Sequence, residues 1–165
     1  GLFKQSDQSN TYQLTILTSK NGIDYIRQKF NSNYMPSNWS LRLVMWNINN
    51  QPQQLESELS RANITLLPSN PLDPRKNGVS HNRLLDSIQG GCIAIASPVD
   101  SYLELSNACL IGKNFPKLLN FATENYSQLC DKYYSIRDAA LQRFNPDLNI
   151  KKWETVIQKT INLSR

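Results

Sequence analysis

Apolar positions change period several times along the chain, and each change marks an element. Tyr12-Gln13-Leu14-Thr15-Ile16-Leu17 gathers β-formers in a short run closed by Ser19-Lys20-Asn21-Gly22, which reads as a strand and a turn. Ile23, Ile26 and Phe30 then recur at helical intervals. A loop over 31–37 precedes a second strand, Leu41-Arg42-Leu43-Val44-Met45-Trp46. Asn47 to Pro52 breaks that strand, with Pro52 suited to a first helical turn, and Leu55, Leu59 and Ala62 space the helix that follows. Ile64-Thr65-Leu66-Leu67 is a third strand, ended by Pro68-Ser69.

A Pro/Asn/Gly-rich loop over 69–79 leads into a short helix over 82–89, stopped by Gly90-Gly91. Cys92 to Ala96 is a fourth strand of small apolar residues, the composition of a strand covered on both faces. A short helix near Asp100 to Leu105 precedes a fifth strand, Ala108-Cys109-Leu110-Ile111. From Asn114 onward the spacing is helical, in segments marked by Leu118, Leu119 and Ala122, then Leu129 to Leu141, then Trp153 to Ile161; Asn145-Pro146-Asp147 divides the last two. Strands alternating with helices predict an α/β fold, with a mainly parallel, Rossmann-like sheet flanked by helices and a helical C-terminal tail. The expected organisation is a ligand-binding core over 1–112 and C-terminal helices over 113–165.

Length and charge leave this picture intact. The 165 residues suffice for one domain with a buried core. The net charge of +5 lies mostly in the tail: residues 113–165 carry nine Lys/Arg against five Asp/Glu. A mildly basic helical surface is first a solvated face, and second a contact for anionic lipid. The excess is too slight, and too little interleaved with aromatics, for a nucleic-acid interface. Three cysteines without metal spacing, Cys92, Cys109 and Cys130, indicate neither a disulfide framework nor zinc, and no Asp-x-Asp pair suggests another metal. With no apolar run of spanning length, the expected location is cytoplasmic, peripheral contact with a membrane being the secondary case.

In parallel α/β sheets, ligands bind beyond the carboxyl ends of the strands, and the loop before the 82–89 helix belongs to that edge. Amides from Val79 through Ser80 and His81 to Asn82 precede the first helical turn, and Arg75, Lys76 and Arg83 add positive charge. Such a junction suits a diphosphate. Asp86 lies one turn beyond Asn82 on the same face, where a carboxylate can meet a ribose hydroxyl. Trp46, Ser69 and Ser97, all at strand ends, are candidates for base or sugar contacts. Each has a plainer reading as well. Ser80 is a natural N-cap, His81 lacks an obvious orienting acid, Arg83 can pair with Asp86 or Asp73, and Trp46 can serve packing.

The run from Asn63 to Gly112 resembles the donor-binding, C-terminal half of GT-B glycosyltransferases of the group 1, family 4-like set. The likeness rests on Arg61-Ala62-Asn63-Ile64-Thr65-Leu66-Leu67-Pro68-Ser69, on the Lys76 to Arg83 loop, and on Leu84-Leu85-Asp86-Ser87-Ile88-Gln89-Gly90-Gly91-Cys92-Ile93-Ala94-Ile95-Ala96-Ser97. It implies that the loop amides and basic side chains hold a donor diphosphate, and that Asp86 stands where the family's ribose-binding Glu stands. Gly78 occupies the place of a further family Glu near the donor sugar. The implied activity is metal-independent sugar transfer from a nucleoside-diphosphate sugar, with no further cofactor. The acceptor site would lie on an N-terminal GT-B domain outside this chain, and Trp153 would belong to a helix crossing back to it. The alternative is a non-catalytic Rossmann-like or flavodoxin-like module for binding or assembly.

Overall fold

In the computed structural model, β4 (Ile93–Ala96) is the strand on which the rest of the molecule is stacked; the residues described are 11–30, 35–70, 72–73 and 80–163. All four residues of β4 are buried, and the two-residue period divides them between two cores. Ala94 and Ala96 face a cluster with Leu84, Ile88, Tyr102 and Leu105, while Ile93 and Ile95 face one with Leu119, Ala122, Leu129 and Tyr133. The alternation of small and large side chains follows from this. The alanines let one helical layer approach closely, and the isoleucines fill the wider gap beneath the other.

The first layer contains α3 (Asn82–Gln89) and α4 (Asp100–Leu103); the second contains α5 (Phe115–Glu124) and the first part of α6 (Tyr126–Gln142). β3 (Ile64–Leu67) and β5 (Leu110–Ile111) flank β4, all parallel, in the order β3-β4-β5. Leu67 pairs with Ala96 and Ala96 with Ile111, so the three strands end level on their carboxyl side.

β1 (Tyr12–Thr18) and β2 (Trp39–Met45) form a separate parallel pair, in register from Tyr12 opposite Trp39 to Thr18 opposite Met45. One continuous sheet is the sequence expectation; among the described residues there are two. Periodicity reports that a segment is extended, not which free edge it meets. Side chains tie this pair to the larger sheet. Arg42 makes a bidentate ion pair with Glu58 of α2 (Gln51–Leu59), one of its two bonds being 2.8 Å, and Trp39 packs against the β4 cluster of Ile93 and Ile95. Within the larger unit, Asn63 Nδ2, just before β3, donates to the Tyr126 hydroxyl at the start of α6 at 3.0 Å.

Local signals explain most boundaries. The Ser19-Lys20-Asn21-Gly22 turn is the first turn of α1 (Lys20–Lys29), with Ser19 as N-cap accepting from the Gly22 amide at 3.3 Å. Gly91, at φ 80°, ends α3 in a left-handed stop: the Cys92 amide reaches Ser87 O at 3.0 Å and the Gly91 amide Ile88 O at 3.1 Å. Asn114 caps α5 through the Lys117 amide at 3.1 Å.

The C-terminal helices differ in fate. α5 and α6 supply buried residues to the core, whereas α7 (Pro146–Leu163) has no buried residue among those described. Its Ile150, Trp153, Ile157 and Ile161 form an exposed stripe, Trp153 being 67% accessible. No helix among the described residues is long and apolar enough to cross a membrane.

Candidate functional site

Because β3, β4 and β5 end level, the residues that follow them meet along one edge, and there they line a cleft of about 550 Å³. Pro68, Ser69 and Asn70 come from the end of β3, Ser97 and Pro98 from β4, and Lys113 from β5. The volume falls within the usual range for small-ligand sites. Leu72, largely exposed, joins the two prolines as an apolar wall. Ser97 is only 4% exposed, and its Oγ accepts the Ser69 amide at 2.8 Å, which ties the ends of β3 and β4 together. That bond leaves the Ser97 hydroxyl proton free to donate. Lys113 brings the one formal charge among the described lining residues.

Ser69 and Ser97, anticipated as strand-end contacts, both line this cleft. Lys113 escaped the sequence reading, although the rule that singled out Ser69 and Ser97 applies equally to the residue past Ile111 and Gly112. Trp46 stands at the end of β2, in the other sheet, where its amide extends the ladder to Thr18 O at 2.7 Å. It does not line the cleft.

The entrance to α3 is more closed than its sequence suggests. The Asn82 amide, expected to be open for a ligand, donates to Ser80 Oγ at 3.2 Å. Both Ser80 and Arg83 are exposed. His81 packs on Phe144 at the end of α6, with ring centroids 4.5 Å apart, and the Arg143 guanidinium lies 4.7 Å from the same ring. Arg143 in turn pairs with Glu104. His81 therefore anchors α3 to the α6–α7 junction. Arg75, Lys76 and Val79 lie outside the described residues.

Asp86 is half-buried on α3, outside the cleft lining, and makes no salt bridge with a described residue. Burial pushes its carboxyl above the ordinary aspartate value. Among the described residues no group of His, Cys, Asp or Glu is arranged as a metal site. Cys92 and Cys109 are buried thiols, pushed up by burial to about 11 and about 12. Their Sγ atoms donate to backbone carbonyls, Cys92 to Ala62 O at 3.3 Å and Cys109 to Leu105 O at 3.2 Å. No protein-family model, curated protein or solved structure matches this chain.

Proposed function

We propose that this chain is the donor-binding half of a GT-B glycosyltransferase and holds a nucleoside-diphosphate sugar at the carboxyl edge of β3-β4-β5. The observation that carries the reading is the cleft itself. It is a small-ligand volume at the end of a parallel sheet, with an apolar wall, a buried hydroxyl and the ammonium group of Lys113. A sugar or base ring would lie on the wall of Pro68, Pro98 and Leu72, with the diphosphate toward the cation. The likeness of residues 63–112 to the donor half of such enzymes supports the same choice of ligand.

In the transfer step, the bond between the sugar's anomeric carbon and the diphosphate oxygen breaks, and its electron pair leaves with the diphosphate. An acceptor oxygen or nitrogen forms the new bond and gives up its proton to a base on the facing domain. This chain's contribution is electrostatic stabilisation of the departing anion. Asp86 is assigned the ribose through its place in the family pattern. Calorimetric titration with UDP, GDP and their sugars tests the reading. Saturable binding that Asp86→Ala weakens supports it, and absence of heat and of amide shifts at millimolar ligand overturns it.

A second reading, an α/β module kept for assembly without chemistry, is favoured by the exposed stripe on α7. It predicts no nucleotide binding and loss of a partner interaction on changing Trp153.

A further inference from the structure

We infer that the free edge of β3 is a docking site for an extended, apolar strand of a second polypeptide. The inference stands on sheet geometry and is independent of the nucleotide-sugar reading.

The β3–β4 register fixes which backbone groups are open. The Ile93 amide donates to Asn63 O at 3.0 Å, and the Ser97 amide to Leu67 O at 3.2 Å. In a parallel ladder successive residues turn to opposite sides, so Asn63, Thr65 and Leu67 face β4. Ile64 and Leu66 turn their amides and carbonyls the other way, where no described strand pairs with them. All four residues of β3 are half-buried, against four fully buried in β4. Ile-Thr-Leu-Leu carries no charge and no proline to discourage pairing.

The placement of β1 and β2 says what kind of strand fits. Trp39 and Arg42 lie on opposite faces of β2. Trp39 packs on the cluster of Ile93 and Ile95, the side covered by α5 and α6. Arg42 pairs with Glu58 of α2, and the neighbouring Leu59 lies against Gly90 at the end of α3, where an added Cβ would stand 2.9 Å from Leu59 Cβ. The small pair therefore lies between the same two helical layers as β3-β4-β5, yet pairs with none of its strands. A parallel layer covered on both sides is apolar on both faces. A strand added at Ile64 and Leu66 enters that layer, so its side chains must be apolar in both directions. Backbone bonds supply the pairing, as in other cases of strand addition to a sheet edge.

The experiment measures amide hydrogen exchange by NMR in the full chain. As a monomer, verified by sedimentation, the protein should exchange quickly at Ile64 and Leu66 and slowly at Thr65 and Leu67, whose amides face β4. A capped peptide of alternating valine and isoleucine between terminal lysines is then added. It should slow exchange at Ile64 and Leu66 saturably, by about tenfold or more. The same peptide with its central amides N-methylated keeps its side chains, loses its donors, and should leave both rates unchanged. Slow exchange at Ile64 and Leu66 without peptide, in the monomer or in a dimer of the chain, means that the edge is already filled and overturns the inference. So does a peptide that slows neither amide at millimolar concentration, or equal slowing by its N-methylated form.

Discussion

The Ser69 amide donates to Ser97 Oγ at 2.8 Å, a bond that fixes the two chain segments leaving β3 and β4 and so sets the floor of the cleft. Ser97→Ala deletes the acceptor and strands a part-buried amide. We expect a loss of about 1–3 kcal/mol in urea unfolding, with an unchanged denaturant slope. Ser97→Thr keeps the oxygen and should recover much of the loss. Equal stability of Ser97→Ala and wild type would show that water satisfies the amide.

Asp86 makes the opposite kind of prediction. Its folded-state carboxyl is raised by burial, so the native state binds a proton more tightly than the unfolded chain. The associated stabilisation is full below the unfolded value and fades as pH rises through the folded one. Asp86→Asn removes the charge while keeping the shape. Its unfolding midpoint should exceed that of wild type at neutral pH, and the gap should close as pH falls below the ordinary aspartate range.

Glu58 titrates with the other sign. Its hydrogen bonds with Arg42 hold the carboxyl below its ordinary value of 4.5. The stabilisation it brings is present above that value and lost as pH drops through the depressed one. Glu58→Gln should therefore lower the urea midpoint at neutral pH, with the difference from wild type shrinking in acid. Because this pair joins β2 to α2, amide exchange in β1 and β2 should quicken in the variant, while β4 stays protected.

Removing residues 150–165 should barely alter the core. α7 buries nothing among the described residues, so the unfolding free energy should change by no more than about 0.5 kcal/mol, although the helical circular dichroism falls. An isolated helix of this length is marginal in water, so what the exposed stripe covers in use must come from elsewhere. A large loss of stability on truncation would refute the independence of α7.

The thiols should react in two classes. Cys92 and Cys109 are buried, with thiols held at about 11 and about 12, so at pH 8 they carry little thiolate and little access. Cys130 is half-buried. A disulfide reagent should label one cysteine promptly in the native protein and the other two only at the rate of unfolding. Three prompt reactions would contradict the packing around β4.

Much of the fold is written locally. The alternating Ile-Ala of residues 93–96, the Gly90-Gly91 stop and the Asn145-Pro146 break each depend on a few neighbours, and a sequence displays such neighbours directly. So the α/β order, the buried fourth strand and the division of the C-terminal helices were legible. The sequence also placed Ser69 and Ser97 at strand ends. What it could not contain was which strand edges pair, because that depends on contacts dozens of residues apart: β1 and β2 pair with each other and stand off from β3. The same holds for the site. Only the level ending of three strands brings Ser69, Ser97 and Lys113 to one cleft, and only the meeting of α3 with α6 turns His81 toward Phe144. Local energetics choose the elements; the packing of one face against another decides which polar groups are left looking into the same space.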